Sequence, residues 1–121
     1  MDQAKRAWIY CRIDAPEDLH GALKRQRQQL MDYAEQMGFE VAGSSVDTGS
    51  SKQLGWPGLR LARQAATEHR IDALLLNGLS CFGIAALEAL PFLGEAEAAG
   101  VAVYTPLQGK LTFKKGDSDE K

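Results

Sequence analysis

Short apolar runs alternate with segments of helical periodicity along most of this chain. Four runs combine apolar and β-branched residues between Gly, Pro, Asp or Ser, which is the pattern of buried strands. They span residues 8–13, 39–46, 71–79 and 101–105, and residues 107–113 form a weaker fifth candidate. The pattern therefore predicts four strands and a weaker fifth near the end of the chain.

Apolar residues in the segment after the first run recur at steps of three and four, which places them on one face of a helix. These residues are Leu19, Leu23, Leu30, Tyr33, Ala34 and Met37. Gly38 follows directly and is expected to end this helix, because glycine adopts the left-handed conformation of a C-cap without strain.

Prolines indicate where the second and third helices begin. Pro57 is predicted to be the first residue of the second helix, where its missing N–H has no helical partner to lose. The predicted apolar stripe of this helix is Leu59, Ala62, Ala66 and His69. Pro91 is tolerated in a first turn, so the third helix is predicted to begin near Glu88, after a loop or loose helix over residues 80–87.

This alternation of strands and helices predicts an α/β fold with a mostly parallel sheet of four to five strands. Parallel strands need long crossovers, and right-handed crossovers place helices on both faces, which gives three layers. Ligands of such sheets bind outside the carboxyl ends of the strands. The segments to consider are therefore residues 12–14, 47–56 and 77–84.

The length and composition favour one cytoplasmic domain. We expect a single domain over residues 1–113 and a polar, disordered tail over 114–121. No apolar run approaches the about 18 residues that span a bilayer, and residues 1–14 lack a secretory signal, so we expect no membrane contact and two reduced cysteines. The net charge of −2 gives no global attraction for a polyanion, and the two cysteines and two histidines lack zinc-ligand spacing.

Arg12, Asp14 and Asp47 are expected to meet at one edge of the sheet. Residues 12 and 14 project from the same face of the first strand, and Asp47 ends the neighbouring strand. One interpretation is a group of exposed strand-end charges with a weak ion pair. The other is a functional site, which is favoured by the long loop of glycine and short polar residues over 47–59.

Four motifs in order resemble the catalytic domain of the serine recombinases, the resolvase and invertase family with its large-serine relatives. YCRID (10–14) is similar to the family's Tyr-x-Arg-Val-Ser, and RQRQQLMDYAEQMGFEV (25–41) to the following helix and strand. DTGSSKQLGWPGL (47–59) is similar to the Asp-x-x-x-Ser-Gly…Arg-Pro-x-Leu loop, and IDALLLNGLSCFGI (71–84) to the segment with Leu-Ser-Arg-Phe-Gly-Arg. The resemblance implies a resolvase-like fold.

The resemblance also implies a reaction in which a serine hydroxyl attacks a DNA phosphodiester and arginines stabilise the phosphoryl oxygens, without metal or cofactor. Arg12 matches the family's first arginine and Asp47 its acidic residue. Asp14 stands at the nucleophile position. Where the family has three further arginines, this chain has Trp56, Cys81 and Ile84.

These replacements predict a catalytically inactive domain that acts as a binding or oligomerisation module. Losing one preorganised donor typically lowers a rate by about 10²- to 10³-fold, and we expect Arg12 to be neutralised by Asp14 and Asp47. The expected partner is a second copy or an active recombinase. DNA is expected to bind weakly or through parts outside this chain, since family members continue into a long helix and a DNA-binding domain.

Several alternatives stay open at this level. One is a fragment that still cuts DNA through Asp14 or another nucleophile, with loop serines as candidates; another is a regulatory domain that binds phosphate or a small molecule. The candidate serines are Ser44, Ser45, Ser50, Ser51 and Ser80. Cys81 is either a reactive thiol or a space-filling residue. A further alternative places Trp56 partly exposed on a contact surface; Cys11 is expected to lie in the core.

Overall fold

A computed structural model describes residues 4–13, 15, 18, 20–78 and 86–112, without the side chains of 52–54 and 86–88. Its strands are β1 (Arg6–Arg12), β2 (Glu40–Asp47), β3 (Ala73–Leu76), β4 (Ala102–Thr105) and β5 (Gly109–Leu111). Its helices are α1 (Ala22–Met37), α2 (Pro57–Thr67) and α3 (Ala86–Ala98). A 3₁₀ helix, Gly49–Leu54, lies between β2 and α2.

The strands form one five-stranded sheet in the order β2-β1-β3-β4-β5. The first four strands are parallel, and β5 pairs antiparallel with β4 at the edge. The predicted α/β fold with a mostly parallel sheet is confirmed, and the weaker fifth candidate is a strand. Strand β1 lies between β2 and β3; β3 accompanies it as far as Tyr10, and β2 as far as Arg12.

Alternate residues of β1 face two separate cores, one on each side of the sheet. Ile9 and Cys11 pack with Leu30 beneath α1. On the opposite face Tyr10 packs in a cluster with α2 and α3, which includes Leu59 and Leu93. The fold therefore has three layers, and the expectation that Cys11 is a core residue is confirmed by its exposure of 1%.

The helix boundaries follow the predicted local signals. Gly38 ends α1 in the left-handed conformation, with φ 77°, and the next N–H, that of Phe39, donates to the Ala34 carbonyl at 2.8 Å. Pro57 is the first residue of α2, as predicted. No helix in the described part of the chain is long and apolar enough to cross a membrane.

Met37 is the last residue of α1, as predicted, and is 45% exposed there. Two details of the predicted helices are wrong. His69 is exposed rather than part of the α2 stripe, because the helix ends at Thr67 and His69 turns the chain with a positive φ of 59°. Helix α3 already begins at Ala86, so Pro91 lies in its interior.

Gly58 lets the start of α2 approach β2 closely. A Cβ at this position would lie 2.5 Å from the Val46 carbonyl oxygen and 3.0 Å from Cγ of Asp47. Real Cβ atoms do not come this close to backbone, so α2 can dock here only with a glycine at this position. Gly94 of α3 has no such neighbour within 4 Å.

We predict that Gly58→Ala lowers the free energy of unfolding by about 2 kcal/mol, because the added methyl pushes α2 away from β2. Gly94→Ala is the matched control and should raise it by up to about 1 kcal/mol through helix propensity. Urea unfolding followed by circular dichroism measures both. Equal effects of the two substitutions would contradict the close approach at Gly58.

Candidate active site

Arg12 and Asp47 end two neighbouring strands and are direct register partners between β1 and β2. Partners in a parallel pair project from the same face, so the expected proximity of these two residues is confirmed. They are not exposed strand-end charges, since Arg12 is 2% and Asp47 1% exposed. Asp14, Cys81 and Ile84 lie outside the described residues, so their place in this cluster stays a prediction.

The Asp47 carboxylate accepts three hydrogen bonds from separate parts of the fold. The Tyr10 hydroxyl donates to Oδ2 at 2.6 Å. The backbone N–H groups of Gly58 and Leu59 donate to Oδ1 at 2.9 Å and to Oδ2 at 3.0 Å. These amides belong to the first turn of α2, where a carboxylate also interacts favourably with the helix dipole. Asp47 therefore caps α2 from the end of β2.

Tyr10 lies on the same face of β1 as Arg12 and is fully buried. Burial, and then its hydrogen bond to Asp47, raise the pKa of Tyr10 far above the ordinary value of 10.0, while the Arg12 charge acts weakly in the opposite direction. The hydroxyl is therefore neutral at physiological pH and acts as a donor to Asp47. A neutral donor and a carboxylate are a stable buried pair.

Trp56 is buried, with 8% exposure, which excludes the alternative of a partly exposed contact residue. Cζ of Arg12 lies 3.6 Å from the centroid of the Trp56 ring, which is the geometry of a cation–π interaction. The ring also packs in the core cluster with Leu59. Trp56 adopts a left-handed conformation, with φ 56° and ψ 62°, immediately before Pro57. The inward position of the ring thus combines core packing with stacking on Arg12.

Gln26 of α1 forms a reciprocal pair with the backbone of Arg12. The Arg12 N–H donates to Oε1 of Gln26 at 3.1 Å, and Nε2 of Gln26 donates to the Arg12 carbonyl at 2.9 Å. Sequence reasoning did not single out this residue. A signal was present, because Gln26 is three residues after Leu23 and four before Leu30, and is thus a polar residue inside the apolar stripe.

The hydroxyl groups near this site have structural partners. Ser45 donates to the Gly58 carbonyl at 2.7 Å and accepts from the Trp8 indole at 2.9 Å. In the following loop, Oγ of Ser51 accepts the Thr48 N–H at 2.9 Å. These bonds give Ser45 and Ser51 roles in packing β2 against α2 and in shaping the loop.

This fold, with a tyrosine, an arginine and an aspartate at the ends of β1 and β2, defines a serine-recombinase type of domain. The family model for the resolvase N-terminal domain matches residues 7–119. The chain therefore belongs to the resolvase family of serine recombinases, whose reaction is site-specific DNA recombination. No curated protein sequence matches it.

Solved structures of recombinase domains share this fold. The N-terminal catalytic domain of TP901-1 integrase has a TM-score of 0.72 at 19% identity, over 87% of this chain and 80% of that one. A resolvase family site-specific recombinase from Streptococcus pneumoniae has a TM-score of 0.71 at 19% identity, over 92% and 78%. The C-terminal catalytic domain of ISC1926 TnpA, an IS607-like serine recombinase, has a TM-score of 0.68 at 22% identity, over 83% and 68%.

We predict that Asp47→Asn lowers the free energy of unfolding by about 2 to 3 kcal/mol, because an amide cannot accept all three hydrogen bonds and turns a donor towards another donor. Asp32→Asn removes the same charge from an exposed residue that accepts one bond from Gln28, and should cost less than about 0.5 kcal/mol. Urea unfolding compares the two. Similar losses would contradict the capping role of Asp47.

We predict that Tyr10→Phe weakens the dependence of stability on alkaline pH. Above pH 10.0 the tyrosine of the unfolded chain loses its proton while buried Tyr10 keeps it, so stability falls as pH rises through this range. Each such group contributes up to about 1.4 kcal/mol per pH unit. Burial also raises the pKa of Cys11 to about 11, so the comparison keeps Cys11 in both proteins. Equal slopes of unfolding free energy between pH 10 and 11 would contradict the prediction.

Proposed function

We propose that this domain has lost the DNA-cutting chemistry of its family and serves as a binding or oligomerisation module. The observation that supports this most strongly is the stacking of Arg12 against Trp56 at 3.6 Å. By resemblance, Arg12 stands at the family's first arginine and Trp56 at the arginine before the proline. The ring of Trp56, which stands at one of the family's arginine positions, thus covers the guanidinium of Arg12, which stands at another.

A guanidinium can stabilise a phosphoryl transition state only where its N–H groups reach the phosphoryl oxygens. Arg12 is 2% exposed and Trp56 8% exposed, so the pair is largely closed to a ligand as large as a DNA strand. A desolvated cation–π interaction contributes about 2 kcal/mol, which a phosphate would have to replace. This favours a resting state in which Arg12 does not contact phosphate.

The replacements at the other family positions also argue against DNA-cutting chemistry. A carboxylate at residue 14 would place a negative charge against the phosphate, and Cys81 and Ile84 supply no cation at two further arginine positions. An aspartate nucleophile for phosphorus needs compensating cations. The combined loss is more than one remaining arginine can offset, since each missing donor typically costs about 10²- to 10³-fold in rate.

The intact fold supports a role that needs a surface rather than a reaction. Asp47, Gly58 and the two cores maintain the recombinase-type sheet although the arginine positions have changed. Such a domain retains a folded surface on which a partner protein can dock. Its partner is a second copy of this chain or an active recombinase, and any contact with DNA by this chain is weak.

We predict that the protein forms no covalent adduct with supercoiled DNA. The reaction is followed by denaturing electrophoresis, with an active serine recombinase as the positive control and Asp14→Asn as the matched variant. An adduct that disappears in Asp14→Asn would refute the loss of cutting chemistry and identify an aspartate nucleophile. An adduct that persists in that variant would also refute it and would direct attention to the loop serines.

The same samples also test the role as a module. Sedimentation velocity of the protein alone, and mixed with the catalytic domain of an active recombinase, should show a dimer or a mixed complex. A protein that stays monomeric at concentrations of about 100 μM in both measurements would contradict this part of the proposal.

A further inference from the structure

The side chain of Gln26 takes the place of a neighbouring strand at the end of β1. Strand β3 accompanies β1 as far as Tyr10, whose register partner is Leu76, the last residue of β3. Strand β1 continues to Arg12. There the N–H and the carbonyl of Arg12 pair with the side-chain amide of Gln26, at 3.1 and 2.9 Å. One amide therefore supplies the acceptor and the donor that a strand would otherwise provide.

The other side of β1 is held by β2 at the same level. The N–H of Ile13 donates to the Asp47 carbonyl at 3.2 Å, directly after the Arg12–Asp47 register pair. The backbone at Arg12 and Ile13 is thus fixed from both sides. Because a strand side chain stands roughly perpendicular to the sheet, this fixes the direction in which Arg12 projects towards the Trp56 ring.

The pair also closes the chain between β1 and α1 into a loop. Its far end is fixed by Asp18, whose carboxylate accepts the N–H groups of Ala22 and Leu23 at 2.7 and 3.1 Å. Displacement of Gln26 would therefore release the carboxyl end of β1 from α1.

We propose that Gln26 is a positioning residue that holds the Arg12 guanidinium against Trp56. A glutamine suits this role because its amide can both accept and donate at the end of two methylene groups. Glutamate keeps the length but lacks the donor, and methionine keeps the length but lacks the amide. The importance of Arg12 rests on the proposed function, whereas the positioning itself can be tested separately.

The test uses the full chain labelled with ¹⁵N and compares Gln26→Met with the wild type by NMR. We expect hydrogen-exchange protection of the Arg12 amide to fall by about tenfold or more, while Ile9 and Tyr10 in the same strand keep theirs. The Nε–Hε resonance of Arg12, shifted upfield by the Trp56 ring, should move towards the position of a free arginine. Gln26→Glu at neutral pH keeps an acceptor for the Arg12 N–H but cannot donate to the Arg12 carbonyl, so it should retain more of the Arg12 amide protection than Gln26→Met and still shift the Arg12 Nε–Hε resonance.

Gln28→Met is the matched control, because Gln28 is exposed and donates to Asp32 on the same helix, at 3.0 Å. It should leave the protection of the Arg12 amide and the Arg12 side-chain resonance unchanged. Unchanged Arg12 signals in both Gln26 variants would overturn the proposal. An equal loss of protection throughout β1 would also overturn it, because Gln26 would then act on global stability only. Neither result depends on whether the protein cuts DNA, so the two proposals fail separately.

Discussion

The buried carboxylate of Asp47 connects the elements on which the candidate site is built. It ends β2, accepts the Tyr10 hydroxyl of β1 and caps the first turn of α2. A buried carboxylate is costly unless its oxygens are bonded, and here three donors compensate that cost. The same bonds fix where α2 begins, and hence where the residue before Pro57 lies. The position of Trp56 therefore depends on an interaction made at the end of β2.

The stacked pair of Arg12 and Trp56 follows from this arrangement. Arg12 projects from β1 towards α2, and the residue that precedes α2 covers it with an aromatic ring. Cation–π stacking and core packing replace the solvent that a phosphate-binding arginine would keep around it. The Trp56 ring that covers Arg12 thus belongs to the same hydrophobic core as Tyr10 and Leu59.

Small residues on this side of the sheet allow the close packing. Gly58 lets the start of α2 approach the β2 backbone closely. Gly43 leaves room for the Trp8 ring, since a Cβ there would lie 2.5 Å from it. Trp8 in turn donates to Ser45, which donates to the Gly58 carbonyl. Because the interior is close-packed, a change at either glycine would move α2 and with it the ring over Arg12.

The sequence by itself determined the order of the elements and the parallel sheet. It also determined that α1 ends at Gly38 and that α2 begins at Pro57, because periodicity and caps depend on residues close together in the chain. It also predicted that Arg12 lies at the edge where β1 and β2 end. The error at His69, and the alternative left open for Trp56, arose where local pattern no longer decides the conformation. Only the tertiary structure decided that Trp56 turns inward onto Arg12, because this depends on a contact between residues far apart in the chain, and on the hydrogen bonds that fix the start of α2.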